Sequence, residues 1–241
     1  MSIMRIISDV HGCITKRHRF QDLPSYIELC QELGPNDYSV QLGDLGFNYT
    51  ELNILDHTRH KFVAGNHDNY DSCFHSKCCL GNFGLQTLGP FKFYFVRGGF
   101  SIDKKARVRD EVLHGQKSWW DNEELSHAQG LTLLEEYERI KPDVVLSHDC
   151  PSSISFLLGN PEMLLAFGWP RNMITSSQEL MQQMIEIHSP KLWIFGHYHK
   201  NWEVTYHKTR FMCLAERQHI DFDKNWEIVG RTGLTERVAT V

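Results

Sequence analysis

Short apolar runs that end abruptly at polar residues punctuate this chain. Met4–Ser8 runs into Asp9-Val10-His11-Gly12, and Tyr38–Leu42 into Gly43-Asp44. Lys61–Ala64 stops at Gly65-Asn66-His67-Asp68, Asp143–Leu146 at Ser147-His148, and Lys191–Phe195 at Gly196-His197-Tyr198-His199. Each run has the length and the Val, Ile, Leu and Phe content of a buried strand. Four stretches between them carry helical patterning: Leu23–Leu33, Thr50–His57, Asn122–Ile140 and Ser177–His188. Ser176 followed by Glu179 predicts a capping box for the last of these. Gly84–Leu88 and Phe91–Val96 predict a strand pair turning at Gly89-Pro90, and Trp202–Tyr206 with Arg210–Leu214 predicts a closing hairpin.

Strands alternating with helices indicate an α/β domain. Ligands of such sheets collect outside the carboxyl ends of the strands. Five strand ends rich in Asp, Asn and His therefore point at one place. No repeat, low-complexity linker or domain boundary interrupts the pattern, which leads us to expect one domain over residues 1–241. Ser101–Trp120 stands apart as a long polar stretch.

At 241 residues with 41% apolar and 23% charged side chains, the chain can bury a large core without disulfides. Seven Cys form no framework, which suits reduced thiols in a cytoplasm. No secretory signal or membrane-length apolar run is visible, so a cytoplasmic location is the expectation. A formal charge of −5 argues against stable binding to a nucleic-acid backbone but not against a nucleotide substrate. The 14 His are the compositional oddity.

Taken singly, the candidate ligands are weak. Asp9 and His11 are two apart on a segment read as extended, which would turn both side chains to one side. A carboxylate with an imidazole suits a divalent metal of intermediate hardness. Asp44 can bridge two cations, although an Asp opening a loop is common. Asn66 offers a neutral oxygen ligand, and His197 and His199 repeat the two-residue spacing.

The ordered set says more. It resembles the calcineurin-like metallophosphoesterase superfamily, whose pattern is D-x-H, G-D, G-N-H-[DE], a lone His and G-H-x-H. The matching blocks are Asp9-Val10-His11, Gly43-Asp44, Gly65-Asn66-His67-Asp68, His148 and Gly196-His197-Tyr198-His199. The resemblance implies a four-layer αββα sandwich of two mixed sheets flanked by helices, with a dinuclear metal site at the strand ends. It assigns Asp9, His11 and His199 to one metal, Asn66, His148 and His197 to the other, and Asp44 to both. It makes His67 the general acid for the leaving group and Asp68 a candidate to orient it, with a structural Asp as the equal alternative.

The activity expected is phosphodiester or phosphomonoester hydrolysis, on a nucleotide or another small phosphate ester. Two divalent cations, two carboxylates and one hydroxide sum to about +1, which would draw a phosphate to an acidic chain. Manganese is the leading metal, with Fe, Ni or Zn as alternatives for a site of mixed donors. A phosphoprotein phosphatase is the runner-up, weakened because Leu45-Gly46-Phe47-Asn48 follows Asp44 where such enzymes carry D-R-G. A non-catalytic scaffold is the third reading. Arg97 is a candidate phosphate contact. Lys104, Lys105, Arg107 and Arg109, with Trp119-Trp120, read either as a substrate-binding segment or, preferably, as a solvated loop anchored by the two Trp. Cys73, His75, Cys78 and Cys79 match no common zinc module and read preferably as free thiols.

Overall fold

The computed structural model describes residues 2–15, 24–233 and 236–237. Twelve strands build two mixed sheets among these residues. The first joins β1 (Met4–Ile7), β2 (Tyr38–Gln41), β3 (His60–Phe62), β10 (His219–Phe222) and β11 (Ile228–Arg231) in the order β11-β10-β1-β2-β3. The second runs β12-β8-β9-β7-β6-β5-β4. Its strands are β4 (Phe83–Leu88), β5 (Phe91–Val96), β6 (Val144–Ser147), β7 (Leu192–Phe195), β8 (Trp202–Tyr206), β9 (Thr209–Cys213) and β12 (Glu236–Arg237). β1, β2 and β3 are mutually parallel, as are β5, β6, β7 and β9. The carboxyl ends that carry the candidate ligands thus point the same way within each sheet.

Side-chain alternation packs both faces of both sheets. Phe91, Phe93 and Phe95 of β5 and Leu192 and Ile194 of β7 enter the layer between the sheets, where they meet Met4, Ile6, Val40, Ile220 and Phe222. The intervening Tyr94, Val96, Trp193 and Phe195 face the other way. There they pack against helices α3 (His127–Ile140), α4 (Ser152–Leu157) and α6 (Ser176–Ile187). On the far face of the first sheet, Ile7, Phe62 and Ala64 pack on α1 (Tyr26–Gln31) and on a 3-10 helix at Tyr49–Ile54. The result is the four-layer sandwich. Strands buried on both faces explain why the runs read as continuous rather than alternating apolar segments.

Several boundaries differ from expectation for local reasons. α1 is shorter than Leu23–Leu33 because Ser25 caps it in a reciprocal box with Glu28; Leu23 lies outside the described residues. α3 starts at His127 rather than Asn122, capped by Ser126 with Gln129. α6 takes its cap one residue early: Thr175 keeps an extended backbone and accepts from Gln178 N at 3.2 Å, so the Ser176–Glu179 box does not form. The Ser101–Trp120 stretch is not a loop throughout. It contains α2 (Lys104–His114), closed at Gly115 in a left-handed conformation. α5 (Asn160–Ala166), β10 and β11 carried no signal strong enough to be read.

One contact inside the first sheet is pH-sensitive. Ser39 Oγ on β2 lies 2.9 Å from His60 Nδ1 on β3. Burial, then the charge of Arg59, lowers the His60 pKa from 6.5 to about 4. Between those values the unfolded chain binds a proton that the folded chain refuses. Stability should therefore fall as pH drops through this window. Urea denaturation at pH 7.5 and 5.0 should show a smaller loss in His60→Gln than in the wild type; an equal loss would contradict the assignment.

Candidate metal centre

The five ligand-bearing segments converge on one spot. Asp9, His11, Asp44 and His199 place ligand atoms within 4.8 Å of one another, and so do Asp44, His148 and His197. Asp44 belongs to both groups. Asn66 adds an oxygen to the second, its Oδ1 lying 2.9 Å from His148 Nε2. His67 stands beside the first, its ring centroid 5.2 Å from that of His11.

The two-residue spacing does not work as an extended strand would make it work. β1 ends at Ile7 and β7 at Phe195, so both D-x-H and H-x-H lie in the turns beyond. His11, Asp44, His197 and His199 have φ of 47°, 56°, 68° and 53°. Left-handed backbone at non-glycine residues costs energy and gathers where surrounding structure enforces it for function. As a result His197 and His199 separate, one to each group.

Two glycines make the approach close enough. A Cβ on Gly65 would sit 2.3 Å from Asp44 Oδ1 and 2.6 Å from His148 Cε1. One on Gly43 would sit 2.3 Å from His148 Nδ1. Any side chain at either position would push the donors apart.

A ring of hydrogen bonds orients the donors. His148 Nδ1 lies 2.7 Å from Leu42 O, so it carries the proton and leaves the Nε2 lone pair facing inward. Nε2 lies 2.9 Å from Asn66 Oδ1 and 3.3 Å from Asp44 Oδ1, a spacing that calls for a proton or a cation between them. Asn66 Nδ2 donates to Ser101 Oγ, which Glu123 holds through Oε2 at 2.6 Å, so the amide oxygen turns to the site. His197 N donates to both Asp9 oxygens, and His67 N donates to Asp44 Oδ1 at 2.7 Å. His11 Nε2 and His199 Nε2 are 2.9 Å apart. Acceptors aimed at each other repel unless a proton or cation lies between them. This donor set fits divalent cations.

Protonation follows the same geometry. Burial, then the charge of His148, lowers His197 to about 3, which keeps it in the neutral form a metal requires. Burial opposes the charge on Asp9, but contact with His199 and the charges of His148, His199 and His11 hold its carboxyl well below the usual range. Burial also opposes protonation of His148, and Asp44 and Asp9 outweigh it and raise the pKa.

Asp68 does not touch His67. Its Oδ1 accepts from Leu45 N, Gly46 N and the Tyr49 hydroxyl, and its Oδ2 from Gly65 N at 2.7 Å. It ties the Asp44 loop to the Asn66 loop instead of orienting the imidazole. Burial and the Asp44 charge push its carboxyl up to about 7 against these donors.

Arg97 is not a phosphate contact. It is buried, donates to Asn82 Oδ1, Asn122 O and Glu123 O, and lies over the Tyr70 and Phe74 rings. The basic residues of α2 also diverge. Lys104 sits over Trp119 and Lys105 over Trp169, whereas Arg107 reaches His67. Trp120 is an anchor, buried with its Nε1 bonded to Asp71. Ser101 and Glu123 were missed because a supporting hydrogen bond leaves no spacing pattern.

Above the cluster lies a cavity of about 250 Å³. Asp44, Asn66, His67, His197 and His199 form its polar side, and Ile102, Met163 and Phe167 its apolar wall. Lys105 Nζ donates to Gly168 O at 3.3 Å and Trp169 Nε1 to Ile102 O at 2.7 Å, which clasps α2 to the segment after α5.

A search of curated proteins finds no match. Among solved structures, the chain is similar to a putative 5'-nucleotidase from Staphylococcus aureus in complex with alpha-ketoglutarate, at 13% identity and a TM-score of 0.47. The match covers 97% of this chain and 53% of that one, so this chain spans about half its length. It is similar also to the phosphopantetheinyl hydrolase PptH from Mycobacterium tuberculosis, at 13% identity and a TM-score of 0.48 over 90% of both chains. GAP50, the anchor in the inner membrane complex of Plasmodium, matches at 12% identity and a TM-score of 0.43, over 97% of this chain and 89% of that one. Likenesses this distant say nothing of what this chain acts on. The model of the calcineurin-like phosphoesterases, by contrast, matches residues 5–201, most of the 241, and the chain belongs to that family.

Proposed function

We propose that this protein is a dinuclear metal-dependent phosphoesterase acting on a small phosphate ester, and that manganese is the metal it uses. The observation that carries the reading is the pair of donor groups sharing Asp44 at the floor of a cavity that also holds His67. Asp9, His11 and His199 would hold one cation and Asn66, His148 and His197 the other. When bound, such a pair supplies positive charge to the phosphoryl oxygens and hydroxide at neutral pH.

The chain's own residues do the rest. His67 stands at the rim with its backbone N–H tied to Asp44, so its ring position follows the metal floor. There it can protonate the leaving oxygen. Asp68 is a positioning residue, holding the Asp44 and Asn66 loops in register. The apolar wall of Ile102, Met163 and Phe167 suits a planar or apolar group on the ester, such as a nucleoside base. A roofed cavity of about 250 Å³ favours a small molecule over a folded phosphoprotein.

The first test is turnover by the metal-stripped protein, reloaded with Mn²⁺, on bis-p-nitrophenyl phosphate, p-nitrophenyl phosphate, nucleoside monophosphates and cyclic nucleotides. Hydrolysis should appear only after reloading, and no hydrolysis of any of them would refute the reading. His67→Ala should keep its metal content and lose about 10²–10⁴-fold in kcat, most with alkyl leaving groups that need the proton. Undiminished turnover on an alkyl ester would remove the general-acid role. Asp68→Asn turns an amide N–H₂ toward donors. It should weaken Mn²⁺ binding about 10–100-fold by calorimetry, and metal affinity at the wild-type level would show that Asp68 does not position the ligand loops.

A further inference from the structure

Helix α2 buries none of its eleven residues, yet Ile102 and Asp103 just before it line the cavity. A helix with no core contact of its own is held there by its polar side chains. Among them Arg107 is unlike the others. The Arg109 side chain is 71% exposed, whereas that of Arg107 is only 12% exposed and turns toward His67. Its Nε donates to Asp103 Oδ2 at 2.8 Å and its Nη1 to Ser118 O at 2.7 Å. Those two bonds lock the plane of the guanidinium. Its Nη2 then lies against the His67 ring, in contact with both Nδ1 and Nε2.

A guanidinium has five N–H donors. Asp103 and Ser118 take one each, and a neutral imidazole can accept only one more. Two donors remain without a partner among the described residues, next to the His67 that lines the cavity. A largely buried guanidinium with unused N–H groups is unfavourable unless an anion completes it, and its planar fork matches phosphate oxygens. No cation follows Asp44 in the Leu45-Gly46-Phe47 segment to serve the same purpose.

We infer that Arg107 is the substrate-anchoring residue of this site: its Nη groups bind a non-bridging oxygen of the phosphoryl group, drawing the group between α2 and the metal floor beside His67. The inference rests on the phosphoesterase reading for its substrate, but not for its measurement. Asp103 and Ser118 O act through Arg107, as positioning partners.

The experiment uses the full chain loaded with Mn²⁺ and inorganic phosphate as the probe, titrated by calorimetry, with metal content measured in every variant. Arg107→Gln should keep its metals and bind phosphate about tenfold or more weakly, the scale of one charge-assisted contact. KM for p-nitrophenyl phosphate should rise with it. Arg107→Lys, which keeps the charge and loses the fork, should fall between the two. If the Gln variant loses its metals or fails to fold, the Lys variant decides. Wild-type phosphate affinity in a folded, metal-loaded Arg107 variant overturns the inference, and with turnover intact it leaves the phosphoesterase reading standing. Phosphate binding that depends on Arg107, in a protein that hydrolyses no ester, supports the anion site and sinks only the hydrolytic reading.

Discussion

The structure turns on a repulsion. Asp9, Asp44, the Asn66 oxygen and inward-facing nitrogens of four imidazoles aim electron pairs at one small volume, and none of the described residues neutralises all of them. Holding such groups together costs energy, and the fold meets that cost with fixed donors behind each one. Leu42 O sets the His148 tautomer, the His197 amide grips Asp9, the His67 amide grips Asp44, and Ser101 turns Asn66. Four left-handed residues stay in place because these bonds over-determine them.

Two sheets are needed because one cannot supply the set. Asp9, His11, Asp44 and Asn66 leave the first sheet, and His148, His197 and His199 leave the second. The layer of Phe, Ile, Leu and Met between the sheets therefore fixes the distance between the halves of the metal centre. Backbone bonds brace the same junction: Gly98 N donates to Ala64 O at 2.8 Å, from the end of β5 to the segment after β3. Close packing in this layer transmits any displacement to the ligands, since interiors at crystal-like density do not deform locally.

Above the rigid floor, the roof is built differently. α2 and the segment after α5 touch the core little and hold each other through Lys105, Gly168, Trp169 and Ile102. Polar clasps of this kind tolerate change more readily than the sandwich does. The donor cluster thus belongs to the sandwich, and the apolar wall above it to the segments outside it.

The ligand blocks and the strand ends that present them were legible in the sequence, because a fully buried strand must be apolar along its length and the polar residue after it marks the edge of the core. The family resemblance read from their order also led to the expectation that Asp44 would stand in both ligand groups, where the structure places it. Hidden from it were matters that depend on three-dimensional direction. Arg97 and Arg107 are equally basic as letters, yet the first is buried among carbonyls and aromatic rings and the second reaches the His67 ring. Asp68 adjoins His67 in sequence, but its carboxylate faces the loop of Asp44. The spacing of His197 and His199 was visible, while their separation into two groups came from left-handed turns that no spacing encodes. Local chemistry, in short, is written in residue types and their order, whereas which side chain faces which is decided only when two sheets and a roof helix close on one another.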